Sequence, residues 1–189
     1  MMSDKGKLVV ISAPSGCGKG TILRGLFELD KEEKSFVLSI SMTTRPPRGT
    51  EQDGVEYFFV SRERFEELIK EDQFIEYAQF NGNYYGTPKS FIEKCIDEGK
   101  TVFLEIEVQG AAKVREKFPD CVSVFILPPS LEELEKRLRG RETDAPEVIE
   151  NRLAIAPDEI ARQNEFDYRV INDDAQRAIN EIYNLIKNI

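Results

Sequence analysis

The apolar run Leu8-Val-Val-Ile11 and the segment Ala13-Pro-Ser-Gly-Cys-Gly-Lys-Gly-Thr21 decide the fold of this chain. A short continuous apolar run is typical of a strand that is buried on both faces of a parallel sheet. The glycine-rich segment predicts a turn, and apolar residues at helical spacing then predict a helix from about Lys19 to Leu29. A strand, a glycine-rich turn and a helix in this order indicate an α/β fold.

The segment from Ala13 to Thr21 resembles the phosphate-binding pattern GxxxxGK[ST], with two departures. Ala13 replaces the first glycine, and Gly20 stands where a hydroxyl residue usually binds magnesium. Glycines still allow backbone N–H groups to turn toward phosphate oxygens at a helix N-terminus. Lys19 can reach the β- and γ-phosphates, and the Thr21 hydroxyl can contact a phosphate. We therefore expect a nucleotide phosphate loop made of Ala13, Pro14, Ser15, Gly16, Cys17, Gly18, Lys19, Gly20 and Thr21.

The alternative for this segment is a strand-to-helix turn without a ligand, and the flanking strand and helix argue against it. With Gly20 in place of a hydroxyl, we expect magnesium to be held mainly by phosphate and water. Cys17 has a plain interpretation as a small loop residue.

The composition and charge argue against a membrane-spanning, a secreted or a nucleic-acid-binding protein. Of the 189 residues, 40% are hydrophobic and 32% are charged, which is ordinary for a soluble globular domain. No apolar run approaches the roughly 20 residues that span a bilayer, and the start does not resemble a signal peptide, so we expect a cytoplasmic protein without a membrane partner. A net charge of −9 is unfavourable for nucleic-acid binding.

Residue types narrow the chemistry further. The chain has no histidine, which excludes a Ser-His-Asp triad, a histidine metal ligand and a histidine general base. Its three cysteines are scattered and form no CxxC pair, so neither a zinc site nor a disulfide framework is expected. Lysine, arginine, carboxylates, hydroxyls and backbone must carry any reaction.

Strand and helix patterns alternate along most of the chain and predict a parallel sheet covered by helices on both faces. The exception lies at about 41–88, where predicted strands over 55–60 and 74–80 and the turn Asn81-Gly82-Asn83 indicate an inserted antiparallel subdomain. The core then consists of 1–40 and 89–189. A further strand is predicted over 36–41. A helix beginning at Pro146 should kink or end at Pro157.

The segment Thr43-Thr-Arg-Pro-Pro-Arg48 places two arginines on a proline-stiffened loop. In an acidic protein, Arg45 and Arg48 could together hold one phosphate monoester through bidentate contacts. The alternative is a pair of solvated arginines.

Seven segments, in this order along the chain, resemble the guanylate kinase family: SAPSGCGKGT, SxTTRPPRxxE, GxxYFFV, FIEYAQFxGNYYGT, LEIExQGA, FILPPSxEELxxRLxxR and VINDD. Members of this family are ATP:GMP phosphotransferases. The resemblance extends from about Leu8 to the last helix. It implies a P-loop NTPase-type sheet, a GMP-binding subdomain and a helical lid at about 137–157. It also implies ATP and GMP (possibly dGMP) as small-molecule substrates, with Mg²⁺ accompanying ATP.

The same resemblance assigns roles in the GMP site. Arg45 and Arg48 look like clamps on the GMP phosphate, helped by the Tyr57 and Tyr85 hydroxyls. The guanine contacts implied are Ser41, Glu76, Thr87 and Glu107. A carboxylate can accept from both N1–H and N2–H₂ of guanine, while a hydroxyl donates to O6.

Each of these assignments has a plainer alternative. Tyr84 or Tyr85 could merely pack on the hairpin, and Glu76 could face solvent. Glu107 stands where the family often has aspartate. Glu105, at the end of a buried strand, could lie near the magnesium waters, and no direct metal ligand is assigned.

By the same resemblance, Arg137, Arg141 and Arg152 are catalytic residues of the lid that closes over ATP, and Arg141 and Arg152 are the main candidates to contact the transferring phosphoryl group, whereas Arg139 can be a solvated charge. Asn172 belongs to a segment that lies near the adenine of ATP in the family. The alternative for Asn172-Asp-Asp174 is a polar turn that caps the last helix.

Two other functions compete with the kinase interpretation. A non-catalytic guanylate-kinase-like interaction domain would be expected to lack the phosphate-loop lysine and the lid arginines. A kinase for another acceptor, such as AMP or a sugar phosphate, would share the fold. A P-loop GTPase would have no use for the Arg45 loop. The sequence leaves the oligomeric state open.

Overall fold

The structure is a computed structural model that describes residues 6–80, 82–140 and 145–189. Its elements, in chain order, are β1 (Lys7–Ser12), α1 (Lys19–Leu29), β2 (Phe36–Leu38), β3 (Met42–Thr43), β4 (Phe58–Phe59), α2 (Arg62–Lys70), β5 (Phe74–Phe80), β6 (Asn83–Pro88), α3 (Lys89–Asp97), β7 (Thr101–Glu105), α4 (Val108–Lys117), β8 (Val122–Leu127), α5 (Leu131–Arg139), α6 (Pro146–Ala161), a short 3-10 helix (Arg162–Glu165), β9 (Tyr168–Ile171) and α7 (Ala175–Lys187).

The larger sheet has five parallel strands in the order β2-β7-β1-β8-β9. Alternate residues of β1 enter two separate cores, with Val9 and Ile11 on one face and Leu8 and Val10 on the other. Helices α1, α5, α6 and α7 contribute to the first core, and α3 and α4 contribute to the second. This confirms the predicted parallel α/β sheet with helices on both faces.

The smaller sheet has four strands in the order β4-β3-β6-β5, all within residues 42–88. Strands β5 and β6 form the antiparallel pair that the sequence predicts, with Glu76 opposite Thr87. Asn81, at the predicted turn, lies outside the described residues. The division into a core and an inserted subdomain at 41–88 stays a prediction, although the second sheet falls inside those limits.

Two predicted strands are shorter in the structure. The strand predicted over 36–41 ends at Leu38, and of the stretch 55–60 only Phe58–Phe59 forms a strand, beside an isolated bridge between Tyr57 and Asp53. A side chain explains the second difference, because the Asp53 carboxylate accepts from the Phe59 backbone N–H at 2.8 Å. The Gly54 N–H also donates to the Tyr57 carbonyl at 2.8 Å, which closes a turn where an extended strand was expected.

Helix α6 does not end at Pro157, as the sequence suggested it could, but continues to Ala161. A proline inside a helix removes the N–H that the carbonyl four residues earlier would accept. Pro157 is exposed, so water can take the place of that donor. No helix in the described ranges is both long enough and apolar enough to cross a bilayer.

The sequence predicts helix N-caps at Ser61 and Ser130, each of which precedes a helical pattern, and at Asp173 or Asp174. The structure confirms a cap at each of these places. The Ser61 hydroxyl accepts from the Arg64 N–H, and the Ser130 hydroxyl accepts from the Glu133 N–H. The Asp174 carboxylate accepts from the Arg177 N–H at 2.8 Å. These bonds satisfy N–H groups that have no partner within the helix, and each side chain fixes where its helix begins.

Asp72 ties the smaller sheet to the helices of the larger one. It lies in the turn between α2 and β5, and its carboxylate accepts from Lys117 at the end of α4 (2.8 Å) and from Lys89 at the start of α3. Lys117 also donates to the Phe74 carbonyl at 2.8 Å. The Lys117 and Lys89 ammonium groups lower the pKa of Asp72 to about 2.

We predict that Asp72→Asn lowers stability at pH 7. A carboxyl with a depressed folded pKa contributes stability that is present above its unfolded pKa of about 3.9 and is lost as pH falls toward the folded pKa. The difference in unfolding free energy between the native protein and Asp72→Asn should therefore shrink below about pH 4 and nearly vanish near pH 2. Urea unfolding across this range measures it.

Asp120→Asn is the matched control, because Asp120 is exposed and has no ion pair among the described residues. It should leave stability unchanged at every pH. A stability difference for Asp72→Asn that is constant from pH 7 to pH 3 would contradict the assignment.

Candidate active site

The loop between β1 and α1 depends on two glycines. Gly16 has φ 91° and Gly18 has φ 84°, a left-handed backbone that residues with a Cβ rarely adopt. A Cβ on Gly16 would lie 2.8 Å from a methyl group of Leu138, and one on Gly18 would lie 2.6 Å from Nδ2 of Asn172. The loop is therefore packed against α5 and against the segment after β9.

The loop encloses a cavity of about 280 Å³ at the N-terminus of α1. Lys19 faces it, with Nζ 4.0 Å from an oxygen of Glu105 at the end of β7. The lining residues include all of the predicted loop except Thr21, together with three carboxylates: Ala13, Pro14, Ser15, Gly16, Cys17, Gly18, Lys19, Gly20, Glu105, Glu107 and Glu159. Backbone N–H groups, a lysine and a helix N-terminus in one cavity suit a phosphate chain.

Asn172 braces the loop from behind. Its side chain is buried, and Nδ2 donates to the Cys17 carbonyl at 2.7 Å. The family resemblance implies that Asn172 lies near the adenine of ATP, which stays a prediction, and the structure shows that its amide holds the loop backbone. Its neighbour Asp173 accepts from Arg177 at 2.7 Å, and Asp174 caps α7, as the alternative for this segment expected.

Cys17 is fully buried, and that burial raises the pKa of its thiol to about 12, more than Arg137 and Lys19 lower it. The thiol is therefore protonated and inert at neutral pH. This agrees with its interpretation as a small loop residue.

A second cavity of about 460 Å³ lies on the other side of the loop. Thr21 and Arg137 line it with Gly16, Gly18 and Asn172. Arg137 is held by Glu133 one turn earlier, at 3.3 Å.

The other arginines of the predicted lid lie in different surroundings. Arg152 lines a neighbouring cavity with Ser15, Glu107 and Glu159. Arg139 is paired with Glu135 at 2.8 Å and Glu150 at 2.6 Å, which fits its interpretation as a surface charge. Arg141 lies outside the described residues.

The arginine loop is fastened to the smaller sheet by its two threonines. The Thr43 hydroxyl donates to the Tyr84 carbonyl at 2.9 Å, and the Thr44 hydroxyl accepts from the Tyr84 N–H at 2.9 Å. The Arg45 N–H in turn donates to the Thr43 hydroxyl at 3.2 Å. The backbone of Arg45 is thereby fixed beside β6.

Glu51 holds the Arg45 guanidinium, and sequence reasoning missed its role. Arg45 is only 7% exposed and donates to both oxygens of Glu51, at 2.8 and 2.9 Å. The Arg48 N–H donates to the same carboxylate at 2.7 Å. The Glu51 carboxylate raises the pKa of Arg45, and Arg45 lowers the pKa of Glu51. The available signal was the glutamate three residues after Arg48.

Aromatic rings complete the Arg45 environment. Its guanidinium carbon lies 5.3 Å from the centre of the Tyr57 ring and 5.8 Å from that of Phe59. Tyr57 contacts Tyr85 edge to face, with centroids 6.1 Å apart. Tyr84 instead stacks on Phe65 at 5.1 Å, so it is Tyr84 that packs under the hairpin and Tyr85 that faces the site.

A third cavity, of about 510 Å³, brings the predicted base contacts together. It is lined by Ser41, Tyr57, Glu76, Tyr85, Thr87, Glu105, Glu107 and Lys113, among others. The Thr87 hydroxyl donates to Glu76 at 2.7 Å across the β5–β6 pair. Burial raises the pKa of Glu76, and Thr87 and Lys113 partly oppose this shift. Glu76 is therefore not the solvent-facing residue of the alternative interpretation.

Two carboxylates line both the cavity of about 280 Å³ enclosed by the loop, here called the loop cavity, and the cavity of about 510 Å³, here called the base cavity after its predicted contacts. Glu105 ends β7 and Glu107 precedes α4, and both line the two cavities. Glu159 of α6, which the sequence did not single out, also lines the loop cavity. Burial raises the pKa of Glu159, with a further increase from Glu107 and an opposing effect of Lys19. The two cavities therefore lie side by side, with Glu105 and Glu107 between them.

Comparison with known proteins agrees with this geometry. A family model described as "Guanylate kinase" matches residues 5–189. A guanylate kinase from Streptococcus agalactiae (serotype III, strain NEM316) is 53% identical over 186 residues, covering 98% of this chain and 88% of that protein. One from Enterococcus faecalis is 51% identical over 185 residues, covering 98% and 90%.

A solved structure supports the same relationship. The crystal structure of guanylate kinase from Anaplasma phagocytophilum has a TM-score of 0.74 and 35% sequence identity to this chain. The match covers 100% of this chain and 88% of that chain.

We predict that Asn172→Ala lowers the unfolding free energy by about 1–3 kcal/mol without nucleotide, because it leaves the buried Cys17 carbonyl without its donor. Urea unfolding measures this. Asp173→Ala is the control, since it removes only exposed contacts, the ion pair with Arg177 and the hydrogen bond from the Asp174 N–H. Equal stability of the two variants would contradict the bracing role.

Proposed function

The chain belongs to the guanylate kinase family, and from this premise we propose that it transfers the γ-phosphoryl group of ATP to the phosphate of GMP, giving ADP and GDP. The observation that carries the proposal is that the loop cavity and the base cavity share Glu105 and Glu107. A donor nucleotide in the first and an acceptor in the second would meet at these residues. Adjacent sites of this kind supply the positioning that phosphoryl transfer requires.

The acceptor site is suited to GMP at both ends. Arg45 and Arg48 bind the phosphate, with Tyr57 and Tyr85 beside them, and Glu51 keeps the Arg45 fork in one orientation. Glu76 accepts from N1–H and N2–H₂ of guanine, while Ser41, Thr87 and Glu107 complete the base site. Adenine lacks these paired donors and would leave the buried Glu76 carboxylate unsatisfied. Sites built on such pairing discriminate by about 10⁴-fold.

The donor site uses the loop from Ala13 to Thr21 and the lysine inside it. Lys19 binds the β- and γ-phosphates, and the helix N-terminus adds its partial positive charge. Arg137 and Arg152 approach from the lid side, and Arg141 completes the set. Asn172 contributes by holding the loop and by closing the adenine side.

The residues present are compatible with Mg²⁺. The carboxylates of Glu105, Glu107 and Glu159 around the loop cavity are the hard oxygen donors that this ion prefers. Glu105 would reach it through water, and the phosphates would hold it directly, since Gly20 offers no hydroxyl. When bound with ATP, Mg²⁺ neutralises phosphate charge.

The reaction needs no general base. An oxygen of the GMP phosphate, already anionic, attacks the γ-phosphorus in line. The bond from that phosphorus to the β-phosphate oxygen breaks, and its electron pair leaves with ADP. Lys19 and the lid arginines stabilise the charge that spreads over the transferring group. The absence of histidine is therefore no obstacle.

The alternatives are less well supported. A non-catalytic interaction domain has no need of a phosphate-loop lysine in a cavity, and Lys19 occupies one here. A kinase for AMP is disfavoured by the Glu76–Thr87 pair, which matches guanine.

The direct test is a coupled assay of ADP release with MgATP and each of GMP, AMP, CMP and UMP, with an acceptor-free control. Turnover with GMP alone is expected, and Lys19→Ala should abolish most of it while GMP still binds. Turnover with another monophosphate would overturn the base assignment. A folded protein that binds ATP but is silent with all four would contradict the proposed reaction.

We predict that Arg45→Lys raises the KM for GMP at least about tenfold and leaves the KM for ATP unchanged. A lysine ammonium cannot keep the two-point contact with Glu51 and also present a fork to a phosphate. Steady-state kinetics with each substrate varied measure both constants. Arg64→Lys, on an exposed face of α2, is the control. An unchanged KM for GMP would count against the clamp.

We also predict that GMP binding weakens as pH falls through the raised pKa of Glu76, at a higher pH than an ordinary glutamate would titrate. The charged carboxylate is the form that accepts from guanine, so affinity rises with pH and then levels off. KM for GMP between pH 5 and 8 measures this. Glu76→Gln should have a higher KM, and only the titration of the GMP phosphate should remain in its pH profile. Identical profiles for the two proteins would contradict the role.

A further inference from the structure

Arg24 lies one turn along α1 from the phosphate loop, and its side chain extends back toward that loop. Its Nη2 donates to the Thr21 hydroxyl at 3.2 Å. Its Nη1 lies 3.7 Å from the position that a Cβ on Gly20 would occupy. Long helical side chains point toward the helix N-terminus, so a residue at this position covers the first turn. The guanidinium therefore lies over the first turn of α1, beside the entrance to the loop.

This position is electrostatically unfavourable without an anion. The N-terminus of a helix carries partial positive charge, which disfavours a neighbouring cation. Several arginines, such as Arg45, Arg139 and Arg177, have a carboxylate partner. Arg24 has no ion pair with a carboxylate in the part of the chain that the structure describes. Most of its N–H donors are thus available to an external anion.

The glycine at position 20 leaves room for this arrangement. Apart from the Arg24 guanidinium, no heavy atom outside its own turn comes within 4 Å of a Cβ built there. Neither space nor a left-handed backbone requires glycine at this position, since Gly20 is not among the glycines with positive φ. The side chain that the usual pattern places after the loop lysine is missing, and Arg24 occupies the neighbouring space.

The hydrogen bond from Arg24 also determines that the Thr21 hydroxyl acts as a donor toward other groups. A hydroxyl has one proton, and an oxygen that accepts from a guanidinium keeps that proton to donate. Thr21 lines the 460 Å³ cavity beside the loop, together with Gly16 and Gly18. Its hydroxyl is thereby prepared to donate to an acceptor-only group such as a phosphate oxygen.

We propose that Arg24 is a phosphate-binding residue of the ATP site, acting together with Thr21 beside the space that Gly20 leaves open. Its guanidinium contacts the polyphosphate of the donor nucleotide at the first turn of α1, and its bond to Thr21 orients that hydroxyl toward the same group. The inference rests on the proposed use of ATP as donor. It adds a residue that the loop pattern does not contain.

Calorimetric titration of the protein with ATP, without GMP, tests this directly. Arg24→Gln is expected to weaken ATP binding about tenfold or more, the usual cost of losing a charge-assisted contact. Arg24→Lys should recover part of the loss, because it restores the charge without the fork. Calorimetric affinity for GMP should be unchanged. Arg64→Gln, another exposed helical arginine, is the matched control and should bind ATP like the native protein.

Thermal unfolding separates binding from folding. Without ligand, Arg24→Gln should melt at the native temperature or slightly above, since it removes a cation from a helix N-terminus. Its stabilisation by ATP should be smaller than that of the native protein. A lower melting temperature without ligand, with an unchanged ATP affinity, would overturn the proposal and leave a structural role.

Failure of the native protein to bind ATP would reject the proposed function itself, whereas equal ATP affinity of the native protein and Arg24→Gln would reject only the role of Arg24.

Discussion

The parallel pairing of β1 with β7 is the constraint on which the site depends. Ile11 lies opposite Glu105 in this register, although 94 residues separate them in the sequence. The phosphate loop leaves β1 and the Glu105–Glu107 segment leaves β7 at the same edge of the sheet, so a lysine and two carboxylates come together there. The apolar side chains of both strands are buried, and a shift of register would displace them from the two cores. The hydrophobic core therefore fixes the distance between the two cavities.

An acidic protein that binds anions must concentrate its cations locally. The net charge is −9, so the molecule as a whole does not attract nucleotides, and the site depends on short-range contacts. Arg45 shows how this is done, because Glu51 orients it from one side while aromatic rings flank it. Glu105, Glu107 and Glu159 bring negative charge to the loop cavity, which makes a divalent cation a fitting companion of the donor phosphates. In the proposed site, carboxylates orient cations and accept from the base, and arginines neutralise phosphate.

Local patterns in the sequence predicted much of this structure, since helix α1, the pair β5–β6 and three N-caps follow from periodicity and turn chemistry. The family resemblance predicted that Ser41, Glu76, Thr87 and Glu107 contact guanine. In the structure these four residues line one cavity. Individual side-chain contacts were not readable from the sequence: Glu51 binds Arg45 six residues earlier, Glu159 of α6 lines the loop cavity, and Arg24 donates to Thr21 one turn earlier. The helix does not end at Pro157, because solvent can replace the hydrogen bond that this proline removes. Arg141 stays a prediction.

The central claim is that the two cavities form one continuous site for donor and acceptor. The most direct measurement is calorimetric titration with a bisubstrate compound in which adenosine and guanosine are joined by a chain of five phosphates. One molecule should bind per chain, more tightly than ATP or GMP alone, and saturating ATP or saturating GMP should each displace it. Two molecules bound per chain, or displacement by only one of the two nucleotides, would show that the cavities are separate and would contradict the account.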